Sequence, residues 1–421
     1  MAGPAAPRRF GITRWLVVAA IVLVLCLAGV FLAVRYGPMT QAGRSLIESQ
    51  VSGLKVGRFG TLRIEGLGGD IWNDFTLARL SIADRQGVWL EARGISVRWK
   101  PAALRNRRLR LTSIAARSIT IERRPLLTRE TNPTPSPVSV DVVSAATRLE
   151  MGPAFAARRG LYDLRTAFSV ERAGGVRGWA SAASALHVGD FLRVAFNLGR
   201  GDTFSVDADA REAQGGALAG MAGLAADQPF RLAAHAKGGI AAGHFAVVTR
   251  VGAATPLEAQ GQWTRAGGSA DGRIDLGASS LLARYQAMVG RQARFRIAGA
   301  KAADGFYALT LVADSDNVAL TARGEADVGR RATGPHGMAI DARIADPNRI
   351  VTTPKMGQAE IAGGLGGDAK HWVFNGAASV LRAGAGDFTL ARLSGPLRVE
   401  HRGAETTISA TASGEGGAGR G

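Results

Sequence analysis

Hydrophobic and polar positions alternate along most of the chain after residue 56. Leu62 and Ile64, for example, flank the charged Arg63, and similar segments recur as far as Ile408. Strict alternation predicts strands with one buried face, because successive side chains of a strand point to opposite sides. No regular series of helical segments separates these strands, so the pattern predicts an all-β fold. The strands recur without a sign of closure, which favours an open-ended, solenoid-like stack over a closed sandwich.

Three segments break the alternation and predict short helices. In the first, Ile47, Val51 and Leu54 follow the spacing of one helix face. The second is rich in Gly and Ala and has apolar residues at helical spacing. The three segments are residues 38–54, 215–224 and 279–292. Near residues 93–94 the alternation slips by one position, which indicates a bulge or a break in a strand.

One uninterrupted apolar stretch precedes the alternating region. The twenty residues from Trp15 through Leu25 and Cys26 to Val34 include no charged residue and no Asn, Gln, Ser or Thr. A helix of that length spans about 30 Å, the thickness of a bilayer hydrocarbon core. The sequence therefore predicts a transmembrane anchor at residues 15–34. The alternative is a cleaved secretory signal, whose apolar core usually has only about 7–15 residues.

The charges around this anchor predict its orientation. Arg8, Arg9 and Arg14 precede it without any acidic residue, and such a bias keeps the N-terminus in the cytoplasm. We therefore expect the C-terminal bulk of the chain to be exported across the membrane. Cys26 is the single cysteine and lies inside the anchor, which excludes a disulfide framework and a multi-cysteine metal site.

The chain is strongly basic, with 52 Lys and Arg against 34 Asp and Glu and a net charge of +18. This excess fits an anionic partner, either nucleic acid or lipid headgroups, and it equally fits solvated strand faces rich in arginine. Nucleic acid is disfavoured because aromatic residues are not interleaved with the basic ones. One local basic cluster is a candidate for headgroup contact, with an ordinary solvated loop as the alternative. It consists of Arg105, Arg107, Arg108 and Arg110.

The sequence shows no pattern of catalytic residues. None of the six histidines has a second histidine at the spacing of a metal-ligand pair. The chain also lacks a Walker A motif and a Gly-x-Ser-x-Gly nucleophile motif. We therefore predict that the protein is not an enzyme and uses no cofactor or metal.

Changes in composition divide the chain into segments. Residues 131–137 contain three prolines at alternate positions, which favour an extended linker. The last residues are rich in glycine and lack the polar cap of an open stack, so we expect the chain to be the N-terminal part of a longer protein. The predicted segments are a cytoplasmic N-terminus (1–14), the transmembrane anchor (15–34), a juxtamembrane helix (35–55), a first β-subdomain (56–130), the Pro-rich linker (131–137), a continued β-region (138–412) and a Gly-rich end (413–421).

Several stretches of the chain resemble the N-terminus of one known family. They are residues 60–70, 74–80, 84–92, 99–104, 109–125 and 215–224. In these stretches, and in the order of an anchor followed by strands, the chain is similar to TamB-type subunits of the translocation and assembly module, which belong to the AsmA-like group. The similarity is strongest over residues 10–130. The region that defines the family lies at the C-terminus of a much longer chain and has no counterpart here.

This resemblance implies a fold, a location and a cargo. The fold would be an elongated open β-trough, or β-taco, of short antiparallel strands with one or two short helices beyond the anchor. The protein would sit in the inner membrane with its bulk in the periplasm and would pair with an outer-membrane barrel of the TamA type. The trough would carry phospholipid acyl chains, and the protein would assist assembly of autotransporters and other outer-membrane proteins.

The apolar strand faces would line such a trough. Candidate lining residues are Val194, Phe196, Leu232, Leu309, Leu311 and Leu320. Two alternatives stay open at this point. The strand faces could instead form a core filled by its own side chains, or the protein could be a membrane-tethered β-solenoid scaffold that binds proteins or polysaccharide on its outer surface.

Overall fold

The computed structural model describes residues 41–128, 138–172, 174–199, 203–239, 241–302, 304–327, 329–351, 355–385 and 388–419. The protein is 67% β with a few short helices, which confirms the predicted all-β class. The predicted anchor at residues 15–34 and the predicted linker at residues 131–137 lie outside the described residues. Across the described ranges, no helix combines the length and the apolar character that a membrane crossing requires.

The described residues fall into two compact units. The N-terminal unit comprises those within Arg9–Gly239 and Thr249–Ala253, and the C-terminal unit those within Ile240–Val248 and Ala254–Gly421. The elements of the N-terminal unit are α1 (Gln41–Val51), β1 (Thr61–Asp70), β2 (Asp74–Asp84), β3 (Gly87–Lys100), β4 (Arg108–Arg123), β5 (Ser139–Gly152), α2 (Pro153–Ala156), β6 (Gly160–Val170), β7 (Val176–Ser184), β8 (Phe191–Leu198), β9 (Phe204–Glu212), α3 (Ala217–Met221) and β10 (Phe230–Gly238). Two 3-10 helices, Gly57–Phe59 and Pro101–Asn106, lie between them.

The C-terminal unit contains most of the remaining strands. Strand β11 (Ala242–Val251) has residues in both units. The other elements are β12 (Ala254–Thr264), β13 (Gly267–Asp275), α4 (Ala283–Val289), β14 (Gln292–Lys301), β15 (Tyr307–Ser315), β16 (Val318–Asp327), β17 (Ala332–Ile344), β18 (Ala359–Gly367), β19 (His371–Ala385), β20 (Phe388–Arg402), β21 (Glu405–Ala410) and β22 (Ser413–Gly419). The short 3-10 helices Leu276–Ala278, Ser280–Leu282 and Pro347–Arg349 complete this unit.

Strands that follow each other in the chain pair with each other in both units. In the N-terminal unit, β1 to β4 and then β5 to β10 form antiparallel ladders. In the C-terminal unit, β12 to β20 do the same, and β20 then pairs with both β21 and β22. Two strands that a short hairpin joins pair with each other in antiparallel orientation, so successive strands become neighbours in the sheet.

One strand pair departs from the predicted antiparallel arrangement. Strands β4 and β5 are parallel, with Leu111 opposite Val142. A parallel pair requires a connection that returns the chain to the starting end of the first strand, whereas a tight turn produces an antiparallel pair. The Pro-rich segment 131–137 falls within this connection. The extended linker predicted there is compatible with a crossover between two strands that pair with each other.

The irregular segments of the sequence have counterparts in the structure. Helices α1, α3 and α4 lie within the three segments that were predicted to be helical. Gly94 has a φ of 59°, and the pairing of β3 with β2 and with β4 skips it. The partner strands skip one residue at the same place, so the register is unchanged and the irregularity is a break in the pairing. The buried positions change from Leu90 and Ala92 to Ile95 and Val97, which confirms the slip in alternation near residues 93–94. The four-residue helix α2 was not predicted, because it is too short to show helical periodicity.

Helix α1 covers the edge of β1. The Glu48 carboxylate accepts the backbone N–H of Leu67 at 2.6 Å, and the Ser52 hydroxyl accepts the N–H of Ile64 at 3.2 Å. These N–H groups would otherwise be free on an edge strand, which is a template for unwanted pairing. Val51, at the end of α1, is buried in the core. The helix therefore closes the first strand of the N-terminal unit with both polar and apolar contacts.

A partly buried ion pair fastens the β2–β3 turn to the end of β4. The Arg123 guanidinium donates to both carboxylate oxygens of Asp84, at 2.6 and 2.9 Å. The backbone N–H groups of Leu126 and Gln86 also donate to Asp84, at 2.7 and 2.8 Å. The hydrogen bonds from Arg123, followed by those from the backbone, hold the pKa of Asp84 well below its usual range.

This low pKa predicts a pH dependence of stability. A carboxyl group whose pKa is lower in the folded than in the unfolded state stabilises the fold above its unfolded pKa of about 3.9, and the stabilisation is lost as the pH falls. We expect Asp84→Asn to lower the urea midpoint of unfolding at pH 7 and to lower it progressively less as the pH falls from about 4 towards 2, because protonation of Asp84 in the unfolded state removes part of the stabilisation in that range.

An exposed ion pair provides the control for this experiment. Arg148 and Asp163 lie 3.2 Å apart with both side chains more than half exposed, so Asp163→Asn should change stability by less than about 1 kcal/mol at any pH. Equal destabilisation by Asp84→Asn at both pH values would show that charge on Asp84 is not the cause.

Candidate functional site

The strands of the C-terminal unit place their apolar side chains on one face of the sheet. Cross-strand pairing aligns these side chains in rows that run across the strands. One row consists of Gly272, Phe295, Ala313, Leu320, Ala342, Ile361 and Ala378, and the adjacent row consists of Ala270, Ile297, Leu311, Ala322, Ile340, Gly363 and Gly376. We call the face that carries such rows, in either unit, the apolar face. No charged residue interrupts these two rows.

The N-terminal unit has an apolar face of the same kind. Its central row consists of Phe75, Val97, Ile114, Ala145, Thr166, Ala180, Val194, Ala208 and Ala234. All six candidate lining residues predicted from the sequence lie on the apolar faces. Val194 and Phe196 belong to β8 and Leu232 to β10, while Leu309, Leu311 and Leu320 belong to β15 and β16. The register therefore joins the first three within one unit and the last three within the other.

The apolar face of the first five strands is a filled core. Leu62, Leu77, Ile95 and Leu111 are each at most 2% exposed. This cluster extends from Val51 on α1 to later strands, where burial becomes less complete. A core at this level of burial has the packing density of an organic crystal and few voids larger than a water molecule. The filled-core alternative therefore describes the first strands of the N-terminal unit correctly.

The apolar face of the C-terminal unit is far less covered. Its buried hydrophobic residues, among those described, are four alanines and one phenylalanine: Ala259, Ala322, Ala359, Ala383 and Phe374. The larger side chains Leu309, Leu311 and Leu320 are only partly buried, and Ile297 is 36% exposed. Large contiguous exposed apolar surfaces mark binding sites in soluble domains. This partly exposed face, which we call the exposed apolar face, is the candidate functional site.

Two short helices fold over part of the apolar face in the N-terminal unit. Helices α2 and α3, which we call the helical cover, meet where a Cβ atom on Gly220 would lie 1.7 Å from the carbonyl oxygen of Ala156. Only glycine permits so close an approach of the two backbones. Arg124 donates to the carbonyl oxygen of Met221 at 2.7 Å and so binds the C-terminal end of α3 to the segment after β4.

A buried carboxylate holds the helical cover in place. Glu212 is 1% exposed, and its carboxylate accepts the hydroxyl of Tyr162 at 2.6 Å and the N–H groups of Leu218 and Ala219 at 2.9 Å each. Burial, followed by the neighbouring Glu212 carboxylate, raises the pKa of Tyr162. The tyrosine therefore stays protonated and acts as a hydrogen-bond donor. Tyr162 and Glu212 both lie on the apolar face, so the cover closes that face at one end of β6 and β9.

The predicted headgroup contact lies at the same end of the strands of the N-terminal unit as the start of α1. Arg44, in the first turn of α1, donates to the carbonyl oxygen of Gly69 at 3.3 Å. Gly69 is close to the β1–β2 turn, where the carbonyl oxygen of Asn73 accepts the N–H of Trp99 at 3.0 Å. The 3-10 helix Pro101–Asn106 begins two residues after Trp99. The beginning of α1 and the basic cluster therefore lie at the same end of strands β1 to β4.

The four arginines of this cluster are exposed. We call Arg105, Arg107, Arg108 and Arg110 the basic rim. The Nε atom of Arg108 lies 3.5 Å from Asp141, whereas in the described part of the chain no acid lies within ion-pair distance of the other three. Unpaired arginines keep their full charge available for an anionic surface.

The opposite face of the sheet is polar and has balanced charges. A depression of about 560 Å³ lies on this face of the C-terminal unit. Three arginines, Arg273, Arg294 and Arg296, and three acids, Glu258, Asp271 and Asp314, surround it, and Arg273 forms an ion pair with Glu258 at 2.5 Å. Charges that alternate in this way are typical of a solvated sheet face.

The described residues give no indication of a metal centre, since no three His, Cys, Asp or Glu side chains cluster in them. No protein-family model, curated protein or solved structure matches the chain. Sequence reasoning missed two features of the site, the change from a filled to an exposed apolar face and the helical cover. The Gly- and Ala-rich segment 215–224 was the signal for the cover, but it does not reveal which surface the helix packs on.

Proposed function

We propose that the protein is anchored in a bacterial inner membrane and carries phospholipid acyl chains along its apolar face. The observation that supports this most directly is the exposed apolar face of the C-terminal unit. Exposed aliphatic surface is unfavourable in water, and an acyl chain that covers it recovers the free energy of burial, about 25 cal/mol per Å². With its predicted anchor at residues 15–34, the protein has a source of such chains in its own membrane.

The chemistry of the apolar face favours a lipid over other ligands. Its rows consist of aliphatic and aromatic side chains and glycine, with Thr166 as a rare polar member. Peptides and polysaccharides need hydrogen-bonding partners when they are buried, and these rows offer few. The balanced charges of the polar face give no comparable support to the alternative, a scaffold that binds proteins or polysaccharide on its outer surface.

The resemblance to TamB-type subunits supports a wider role. Under this proposal the bulk of the chain lies in the periplasm and cooperates with an outer-membrane barrel of the TamA type. The same apolar face could shelter the lipid-facing strands of outer-membrane proteins during their assembly. The outer-membrane partner and the role in protein assembly depend on the resemblance alone. The lipid cargo is also supported by the incomplete burial of the apolar face in the C-terminal unit.

Lipid analysis of the purified protein tests the proposed cargo. The full chain, purified in an amphipathic polymer without added lipid, should retain phospholipid that native mass spectrometry detects as discrete mass increments. Two-chain phospholipids are the expected adducts. A lipid-free protein whose apolar face is protected from hydrogen exchange by its own side chains would contradict the proposal.

The basic rim should hold the N-terminal unit against anionic headgroups. Each basic residue near a charged membrane surface contributes about 1 kcal/mol, so replacing all four arginines by Gln should weaken the contact at least about tenfold. The measurement uses the full chain in nanodiscs that contain phosphatidylglycerol. A fluorophore on Asn106→Cys, in a Cys26→Ala background, should be quenched by headgroup-labelled lipid, and this quenching should decrease in the four-arginine variant.

A charge-matched variant controls for the loss of net charge. It replaces four exposed arginines of the C-terminal unit by Gln, namely Arg294, Arg296, Arg323 and Arg343. This variant should quench like the parent protein. Equal loss of quenching in both variants would mean that net charge, and not the basic rim, governs the contact.

A further inference from the structure

The filled core closes the start of the apolar face. Leu77, Ile95, Val97 and Leu111 are at most 2% exposed and belong to strands β2, β3 and β4. Inserting additional groups into a packed core forces side chains out of their preferred rotamers and shifts the backbone. An acyl chain therefore has no path through these strands, although they are the strands nearest to α1 and the predicted anchor in sequence.

The following strands leave room on the same face. The central row continues through Ala180, Val194, Ala208 and Ala234, all of which are only partly buried. Three of these four side chains are methyl groups, which cover less of the face than the leucine and isoleucine side chains of the first strands, while Val194 packs against the core cluster. Phe196, in the adjacent row, is 9% exposed and Val206 is partly buried. Burial of the face thus decreases within a few strands of the filled core.

The helical cover limits this open region at one end of the strands. Ala182, Ala210 and Phe230 are buried beside it, and the hydrogen bonds of Glu212 hold α3 in place. The region between the filled core and the helical cover is a window lined by Ala180, Val194, Ala208 and Ala234, which we call the loading window.

We infer that a phospholipid acyl chain enters the protein from the side, at the loading window, and does not thread through the first strands from the membrane end. This inference rests on the proposed lipid-carrying function. It assigns the small residues of β7 to β10 the role of admitting the chain, and it assigns the filled core of β1 to β5 a purely structural role. The occupant is the aliphatic chain of a phospholipid, because the window presents methyl groups and few hydrogen-bonding partners.

Photolabelling of the unmodified full chain tests this directly. The chain in nanodiscs is incubated with phosphatidylethanolamine that carries a diazirine near the end of one acyl chain, irradiated and digested. Peptides from residues 176–238 should carry adducts. Peptides from residues 61–123 should carry at least about tenfold fewer, because the label would have to displace close-packed side chains there.

The outcomes separate the two proposals. Adducts spread equally over residues 61–123 and 176–238 would overturn lateral loading and leave lipid carriage intact. Adducts on residues 61–123 alone would overturn lateral loading in favour of threading. Adducts on neither region, nor on the apolar face of the C-terminal unit, would overturn both proposals, since no acyl chain would then contact the protein.

A variant that fills the window provides a second test. Ala208→Trp places a large ring in the centre of the loading window and should reduce labelling of the apolar face at least about tenfold. Ala233→Trp places the same ring on an exposed position of β10 on the polar face and should label like the parent protein. Hydrogen exchange of β7 to β10 verifies that both variants are folded. Undiminished labelling of a folded Ala208→Trp variant would overturn the inference.

Discussion

Leu311→Asp is expected to reduce the phospholipid that co-purifies with the full chain at least about tenfold. Leu311 lies at the centre of the exposed apolar face, between Ile297 and Ala322 on the adjacent strands. An acyl chain that covered this position would strip the carboxylate of its hydration, which is costly without a polar partner. The carboxylate should therefore keep the acyl chain away from the face. The partly exposed position allows the charge to reach water in the empty protein, so folding should be retained. Quantitative lipid analysis per mole of purified protein measures the effect.

The next residue of the same strand supplies a matched control. Val312 lies on the polar face, is 40% exposed and pairs across the sheet with Arg296. Val312→Asp makes the same kind of change, an aliphatic residue to a carboxylate, on a face that accommodates charge. This variant should retain the parent amount of phospholipid. If Leu311→Asp retained as much lipid as Val312→Asp, the apolar face would not be the lipid-binding surface.

Alternation along the chain was sufficient to predict the strands and the faces of their side chains. The reason is local, because two-residue periodicity determines the face of every side chain once a segment is extended. Leu309 and Leu311 could therefore be assigned to one face before any tertiary contact was known. The slip at Gly94 was visible for the same reason, since one irregular position changes the face of all the alternating residues that follow.

The extent of burial could not be predicted in the same way. Leu111 and Leu311 have the same local pattern of alternating residues, yet Leu111 is 1% exposed and Leu311 is only partly buried. The difference depends on which elements cover each face, and helix α1 and the first strands enclose the face around Leu111. Such coverage involves residues that are distant in sequence. The pairing of β4 with β5 across the Pro-rich connection is another example, since proline content indicates an extended segment but not its destination.

The anchor and the basic rim illustrate an intermediate case. The composition of residues 15–34 and the arginines from Arg105 to Arg110 were visible in the sequence, and so was their order along the chain. The position of the start of α1 relative to the basic rim was not visible, because it depends on the hydrogen bond from Arg44 to Gly69 and on the turn that brings Asn73 to Trp99. These contacts place the start of α1 and the basic rim at the same end of strands β1 to β4.

The contrast between the filled and the exposed apolar face also predicts that the same substitution has different effects on stability in the two units. Leu111→Ala should reduce the free energy of unfolding of the N-terminal unit by about 2–5 kcal/mol, the range for a buried leucine in a core that cannot collapse. Leu311→Ala removes the same atoms from the same kind of strand face, but solvent already reaches that side chain. Its cost should be about 1 kcal/mol, because less apolar area returns to water and no closed cavity forms.

Hydrogen exchange measures the local stability around both leucines in each variant. Peptides from β3 to β5 report the opening free energy around Leu111, and peptides from β14 to β16 report that around Leu311. The large loss should be confined to Leu111→Ala and to the first set of peptides. Equal losses for the two variants would mean that the C-terminal unit has a closed core like the N-terminal unit, and an acyl chain would then have no surface to occupy there. The same pair of leucines thus decides whether the two apolar faces differ in kind, which is the premise of both lipid carriage and lateral loading.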